Sequence, residues 1–548
     1  LILKKYINLL LVPFFIGCLG SGDSSESKNS NIDNTSKSYV DLRSKELKNA
    51  VAYIPPQCYT KTEDNYNPCY SCHTKGEKPN FIDDSSLQES YDFLPTKAYR
   101  NNWSNLFKDR TKDIEKISNQ EIVEYISKSN YIENSTLVLA QNLKNLPKEW
   151  DYNGNKKWDG YMPDCYFNFD AEGFDKNLNG DYTGWRAFAY YPFLGTFFPT
   201  NGSTDDVLIR LSDEFMQDEN GNFNLEIYKI NLAIIESLIK AEDIKIDEVD
   251  ENLYGVDLDK NGELGLSSKI TYEWIPLEGK TMSYIGKAKE FLENGKIHLA
   301  RGLYPENTEF LHSVRYISEN LGLSERMKEL RYAKKTKWKT YTDHEIFAIN
   351  LDKEAEEDSG SASNKVGNVE DGMQNGLGWV YQGFIEDKDG ELRPQTYEES
   401  VACIACHSTI GAITDSTFVF KRKYDWSHWS SKSFVGIKDR ILENGKGEYS
   451  FYLENNRAGD EFRENSEVIE KFFYENGDKK VEAFENLKND ISYLLLPSKA
   501  RALELNKAYK VIVDEQSFIY GRDAIIKAPK NIHRELKENQ STGLEVIE

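Results

Sequence analysis

Two pentapeptides in this chain have the residue types and spacing for covalent cofactor chemistry: Cys69-Tyr70-Ser71-Cys72-His73 and Cys403-Ile404-Ala405-Cys406-His407. In each, two thiols stand at i and i+3 and a histidine follows the second. Such thiols can add across the two vinyl groups of one porphyrin, and the adjacent imidazole then reaches the iron as its proximal ligand. Cysteine and histidine are scarce, seven of each in 548 residues, so two chance copies are not expected. A thiol redox pair belongs to a βαβ context that neither copy shows. Zinc would need two further ligands per site or the two motifs brought together. The expected cofactors are two haems of the c type, attached at Cys69, Cys72, Cys403 and Cys406, with His73 and His407 as proximal iron ligands.

Each iron has a sixth position to fill. Phe310, His312, Val314 and Tyr316 share one face if their segment is extended, and that face is apolar enough to line a haem pocket. His428 lies among Tyr424, Trp426 and Trp429, whose rings could pack on a porphyrin. These two histidines are the first candidates for distal ligands. His344 and Met373, the latter in a glycine-rich stretch, follow them.

Of the other cysteines, Cys58 and Cys165 are expected to pair as a disulfide, since an oxidising compartment favours pairing of two leftover thiols. Two buried free thiols are the alternative. Asp257, Asp259 and Asn261, followed by Gly262, match the first half of a calcium loop, with oxygen ligands at alternate positions. Asp175, Asn177 and Asn179 before Gly180 repeat the pattern. Neither has the closing glutamate, as Ser268 and Arg186 hold that position, so calcium competes with a plain Asn/Asp-Gly turn.

The elements that must position these residues suggest an α+β fold. A loop rich in proline enters a short helix at the first motif. Residues 118 to about 145 read as helix, opened by the capping box Ser118-Asn119-Gln120-Glu121. From 149 to 350 short apolar runs cut by Gly, Asn and Asp read as β-rich. The expected organisation is a signal peptide (1–17), a lipidated N-terminus and flexible tether (18–45), a first haem segment (46–148), the β-rich region (149–350), a linker with the second haem segment (351–434) and a mixed, helical C-terminal region (435–548). The distance between the motifs implies either a large β-rich insertion between two haem modules or one composite domain wrapped around both.

A net charge of -23 repels phosphate backbones and makes nucleic acid an unsuitable partner. Lys4 and Lys5 precede an apolar run from Tyr6 to Gly17 that is too short for a bilayer span of roughly 20 residues. The run ends in Phe15-Ile16-Gly17-Cys18, which resembles a bacterial lipoprotein signal with Cys18 as the acylated residue. Phe15 stands where that pattern usually has leucine, and an ordinary signal peptide is the alternative. The Ser/Asn/Asp stretch that follows cannot bury a core. Leu19 after the cysteine resembles an outer-membrane address.

Together with the two motifs, these features resemble a dihaem c-type cytochrome lipoprotein. The likeness to dihaem peroxidases covers only the two pentapeptides. The resemblance implies an electron carrier of the cell envelope, anchored to the membrane by lipid, whose partners are redox proteins or small-molecule donors and acceptors. A peroxidase-like oxidoreductase with one open haem is the second expectation. An envelope binding or sensing lipoprotein with structural haems is the third. If Cys18 carries the anchor, Cys18→Ser moves the protein from the membrane to the soluble fraction on cell fractionation; an unchanged membrane share refutes it.

Overall fold

The structure is a computed structural model that describes residues 39–547 except 45, 50, 92–97, 196–198, 358–365, 426, 430–432 and 458–463. Cys18 and the tether expected up to residue 38 lie outside the described residues. Val40–Glu548 is one compact unit.

The scaffold is an antiparallel sheet with nine strands among the described residues. From one edge the order is Val366–Asn368, Gly372–Gln374, Trp379–Glu386, Leu323–Lys335, Glu309–Ile317, Thr204–Arg210, Tyr182–Ala187 and Phe174–Lys176, and Leu392–Pro394 pairs with Trp379–Glu386. At its centre His312 stands opposite Arg331 on one side and Val207 on the other. Side chains alternate between faces along each strand, and the sequence uses both faces. Leu208, Leu311, Leu330 and Phe384 join Trp150, Trp158 and Cys165 in one buried cluster. Val207, Ile209, Phe310 and Tyr381 belong to a second cluster.

That second cluster is closed by the helix Leu225–Lys240, whose start is capped by Asn224 accepting from the Glu226 and Ile227 amides. The helix is apolar almost all round, as an enclosed helix must be. Its one buried carboxylate, Glu236, pairs with Lys240 and Lys423. The C-terminal helix Lys499–Glu515, capped by Ser498, packs Tyr509 and Ile512 with Ile122, Ile126 and Tyr316.

The α+β expectation holds, with helical and loop segments on either side of a β-rich middle. The expected helix of residues 118 to about 145 is two helices, Asn119–Ile126 and Val138–Lys144, separated by the small hairpin Ile132–Glu133/Thr136–Leu137. Asn134 and Ser135 take φ of 47° and 62°, the left-handed pair of a tight hairpin turn, which no helix accommodates. Part of the expected linker is structured: the helix Tyr341–Glu357 enters it, and Val366–Asn368 and Gly372–Gln374 join the sheet edge.

The chain ends also meet. Isolated bridges join Thr60 to Ile532, Ser90 to Ser541 and Arg100 to Glu535, and Asn49 donates through its backbone to Glu398. The first motif segment is thus built into the same body as the second and the tail.

Leu311 is fully buried at the sheet centre. Leu311→Ala should cost about 2–5 kcal/mol, read as a lowered midpoint in chemical denaturation. Leu178→Ala at an exposed turn should change it by less than about 0.5 kcal/mol.

Candidate haem-binding cavity

The second motif closes the helix Tyr397–Cys406. Thr396 and Glu399 form a capping box at its start. Arg393 holds the Glu399 carboxylate with two bonds, 2.8 and 2.9 Å. Cys403 and Cys406 then fall on one face, a single turn apart. The first motif begins in the 3-10 turn Cys69–Ser71, where i and i+3 also align. In both motifs the histidine amide donates to the carbonyl of the first cysteine, at 2.9 Å for His73 and 3.1 Å for His407. Two sequences with different spacers therefore fold into the same local turn.

Both turns open into one cavity of about 520 Å³, lined by Cys72, His73, Cys403, Cys406 and His407 among others. The sheet supplies a wall of Phe310, His312, Val314, Ala333 and Tyr381. Phe310, His312 and Val314 thus share the cavity face as their alternation predicts; Tyr316 instead hydrogen-bonds Glu386 outside it.

The two motif histidines are oriented in the same way. His73 Nδ1 donates to Asp84 Oδ2 at 3.1 Å, and His407 Nδ1 donates to the Ser416 carbonyl at 2.9 Å. Each ring is fixed through Nδ1, which leaves Nε2 for a metal, the arrangement that holds a ligating imidazole in one tautomer. Burial pushes the His407 pKa down to about 4, so the ring is neutral and its Nε2 lone pair is available. Tyr381 lies 4.8 Å from the His407 ring. Burial also raises the thiols, Cys406 to about 11 and Cys69 to about 12. They lack the depressed pKa of a reactive redox pair. On the sheet side of the cavity, Arg331 and Arg522 meet on Glu329, at 3.0 and 2.9 Å. All three residues line the cavity, and the two guanidinium groups suit the carboxylates that a porphyrin carries. The residues present therefore fit covalent haem.

The distal candidates fare differently. His312 Nε2 donates to Asp205 Oδ2 at 2.6 Å. Asp205 is fully buried and also accepts from the Tyr190 hydroxyl. His428 is corrected: it does not line the cavity. Its Nδ1 sits 2.6 Å from Asp425 Oδ1, in an exposed turn where the same oxygen also takes the Ser427 amide and hydroxyl. His344 is buried 3.9 Å from Asp415. Met373 is fixed in a strand opposite Tyr381. Among the described lining residues, His312 is the one histidine beyond the motif pair, and there is no methionine.

The expected Cys58–Cys165 disulfide is also corrected, since both thiols are free. Cys58 packs against the cluster on the cavity face, while Cys165 is buried in the cluster on the opposite face, so the sheet stands between them. Asp175, Asn177 and Asn179 form a hairpin turn and not a calcium loop. The Asp175 carboxylate is buried and takes the Tyr166 and Asn168 amides and the Thr183 hydroxyl at 2.8–2.9 Å. Asn177 accepts from the Asn179 and Asp181 amides at the turn.

Around Asp257 and Asp259 the acidic oxygens do converge, within 4.8 Å of one another, but the third member is Glu251. It precedes the loop, whereas the calcium-loop pattern looks for its glutamate after it. The Asn261 side chain accepts from the Glu263 amide.

Burial pushes the Cys58 and Cys165 thiols far above their ordinary values. Native protein should resist alkylation at both, and protein unfolded without reductant should be alkylated at both. A linked Cys58–Cys165 peptide in that map would restore the disulfide.

The sequence model of a family described as a "-like lipoprotein" matches residues 42–493. An uncharacterized lipoprotein of Aquifex aeolicus (strain VF5) is 32% identical over 571 residues, covering 93% of this chain and 93% of that protein. No solved structure matches the chain. Among the described residues no helix is long and apolar enough to cross a membrane. On the span of the family match and the full-length likeness to its relative, the chain belongs to this lipoprotein family.

Proposed function

We propose that this lipoprotein is a c-type cytochrome with two covalently attached haems that passes electrons between redox partners at the cell envelope. One observation carries the reading: both Cys-x-x-Cys-His turns open into a single cavity, with each histidine fixed through Nδ1. In this reading Cys69 and Cys72 hold one haem, and Cys403 and Cys406 the other. His73 and His407 ligate through Nε2, and Arg331 and Arg522 receive carboxylates of the bound groups. The bound groups supply one-electron chemistry, and the apolar wall limits water around them. Acylation at Cys18, with Leu19 after it, would hang the protein from the outer membrane, within reach of redox proteins or small-molecule donors and acceptors.

A second reading, a peroxidase-like oxidoreductase, is favoured by the supply of distal ligands. Two irons need two sixth ligands to be closed, yet among the described lining residues His312 is the one further histidine, and Asp205 already engages its Nε2. An iron without a strong sixth ligand binds small molecules, and a positioned imidazole beside it can move protons.

Gels stained for haem peroxidase activity should stain the intact chain. Cys69→Ala/Cys72→Ala and Cys403→Ala/Cys406→Ala should each remove one haem by mass, and a mature chain lacking both porphyrins refutes the proposal. For the carrier, both oxidised haems are low-spin and His312→Ala turns one high-spin. A native high-spin haem that binds cyanide or peroxide readily selects the second reading.

A further inference from the structure

The two motif segments are not merely neighbours. Asp84 is buried between them. Its Oδ2 accepts from His73 Nδ1 at 3.1 Å and its Oδ1 accepts from the Gly411 amide at 3.0 Å. The Ala412 amide donates to the Cys72 carbonyl at 3.3 Å, and Asn80 Nδ2 donates to the Ile410 carbonyl at 3.0 Å. Lys421 and Glu77 add an ion pair on the outside. Gly411 is the closest approach: a Cβ there would overlap the Thr74 carbonyl oxygen and lie 2.7 Å from Asp84 Oδ1. Gly411 is only four residues after His407, a tether of at most about 14 Å.

Resting on the two-haem reading above, we propose that the two haems form one electronically coupled pair, with Asp84 as the positioning residue of the clasp that sets their spacing. A short, rigid separation lets one electron leave the reduced haem and enter the oxidised one directly, with no proton or atom crossing the clasp. The clasp also makes the two sites unequal. His73 donates to a carboxylate, whose charge strengthens the imidazole as a donor and favours the oxidised iron. His407 donates to a neutral carbonyl among the Tyr381 and Phe418 rings, with the Arg331 guanidinium acting on it, and both disfavour the extra positive charge of the oxidised iron. The haem at Cys69/Cys72 is therefore the lower-potential member, and electrons run from it to the haem at Cys403/Cys406.

Circular dichroism in the Soret region of the full-length, two-haem protein tests the pairing. A coupled pair gives a bisignate signal that the summed spectra of the two single-haem variants, Cys69→Ala/Cys72→Ala and Cys403→Ala/Cys406→Ala, do not reproduce. Gly411→Ala, still carrying two haems by mass, should weaken that signal. If a single-haem variant fails to fold, half-reduction of the native protein in a potentiometric titration serves instead, because it should collapse the signal. A native spectrum equal to the sum of two independent haems, or a bisignate shape that persists at half-reduction, overturns the coupling while leaving the two-haem reading intact. Absence of haem by mass defeats that reading itself. In the same titration Asp84→Asn should raise the lower potential and narrow the gap; a lower-potential wave assigned to the Cys403/Cys406 haem overturns the stated direction.

Discussion

Alternation of side chains along the central strands is the constraint on which the rest of the structure depends. Glu309–Arg315 is paired on both sides, and the registers of His312 with Arg331 and Val207 fix the face of each side chain up to the irregularity after Val314. A slip by one residue would send Leu311 into the cavity and His312 into the opposite core. One face is a filled, aromatic-rich core. The other leaves space, and that space is where both cysteine turns open. The cavity exists because a rigid sheet covered on its far side supports one wall of it, while the motif segments and the tail close the others.

Charge is buried around this cavity in specific pairs. Lys335 and Asp415 are both fully enclosed and bonded to each other. Asp415 also accepts from the Tyr304 amide and Trp379 Nε1. An enclosed pair of this kind is weak evidence for stability, because desolvation offsets much of the attraction. Its effect here is positional. Asp415 and Ser416 both take positive φ, 45° and 62°, and anchoring Asp415 holds the turn from which the Ser416 carbonyl receives His407 Nδ1. Breaking the pair would leave a charge without a counterion and release the turn. Asp84 serves the same end at the first motif by a different route, a carboxylate shared between a ring nitrogen and a backbone amide.

Histidine chemistry in this protein is decided by which ring nitrogen is occupied. His73 and His407 are held through Nδ1, and His312 through Nε2. The motif histidines thereby keep Nε2 unspent, while His312 is held by a buried carboxylate that also serves Tyr190. His428 has an aromatic neighbourhood in the sequence but spends its Nδ1 on a local aspartate turn. Nearby aromatic residues are therefore a poor guide to the cavity wall, and alternation along a strand is a good one.

The sequence alone determined the chemistry that is local. The two Cys-x-x-Cys-His turns, the capping box at Ser118, the face shared by Phe310, His312 and Val314, and the β-rich middle could all be read from spacing and period, because each depends on residues within a few positions of one another. Tertiary structure decided everything that joins distant segments. That both motifs open into one cavity, that Asp84 links them through Gly411, that Glu251 and not a later residue faces Asp257 and Asp259, and that a sheet separates Cys58 from Cys165 are facts of long-range packing. Counting leftover cysteines or searching downstream for a closing glutamate could not supply them, since neither contains the distance between residues that only the folded sheet brings together or holds apart.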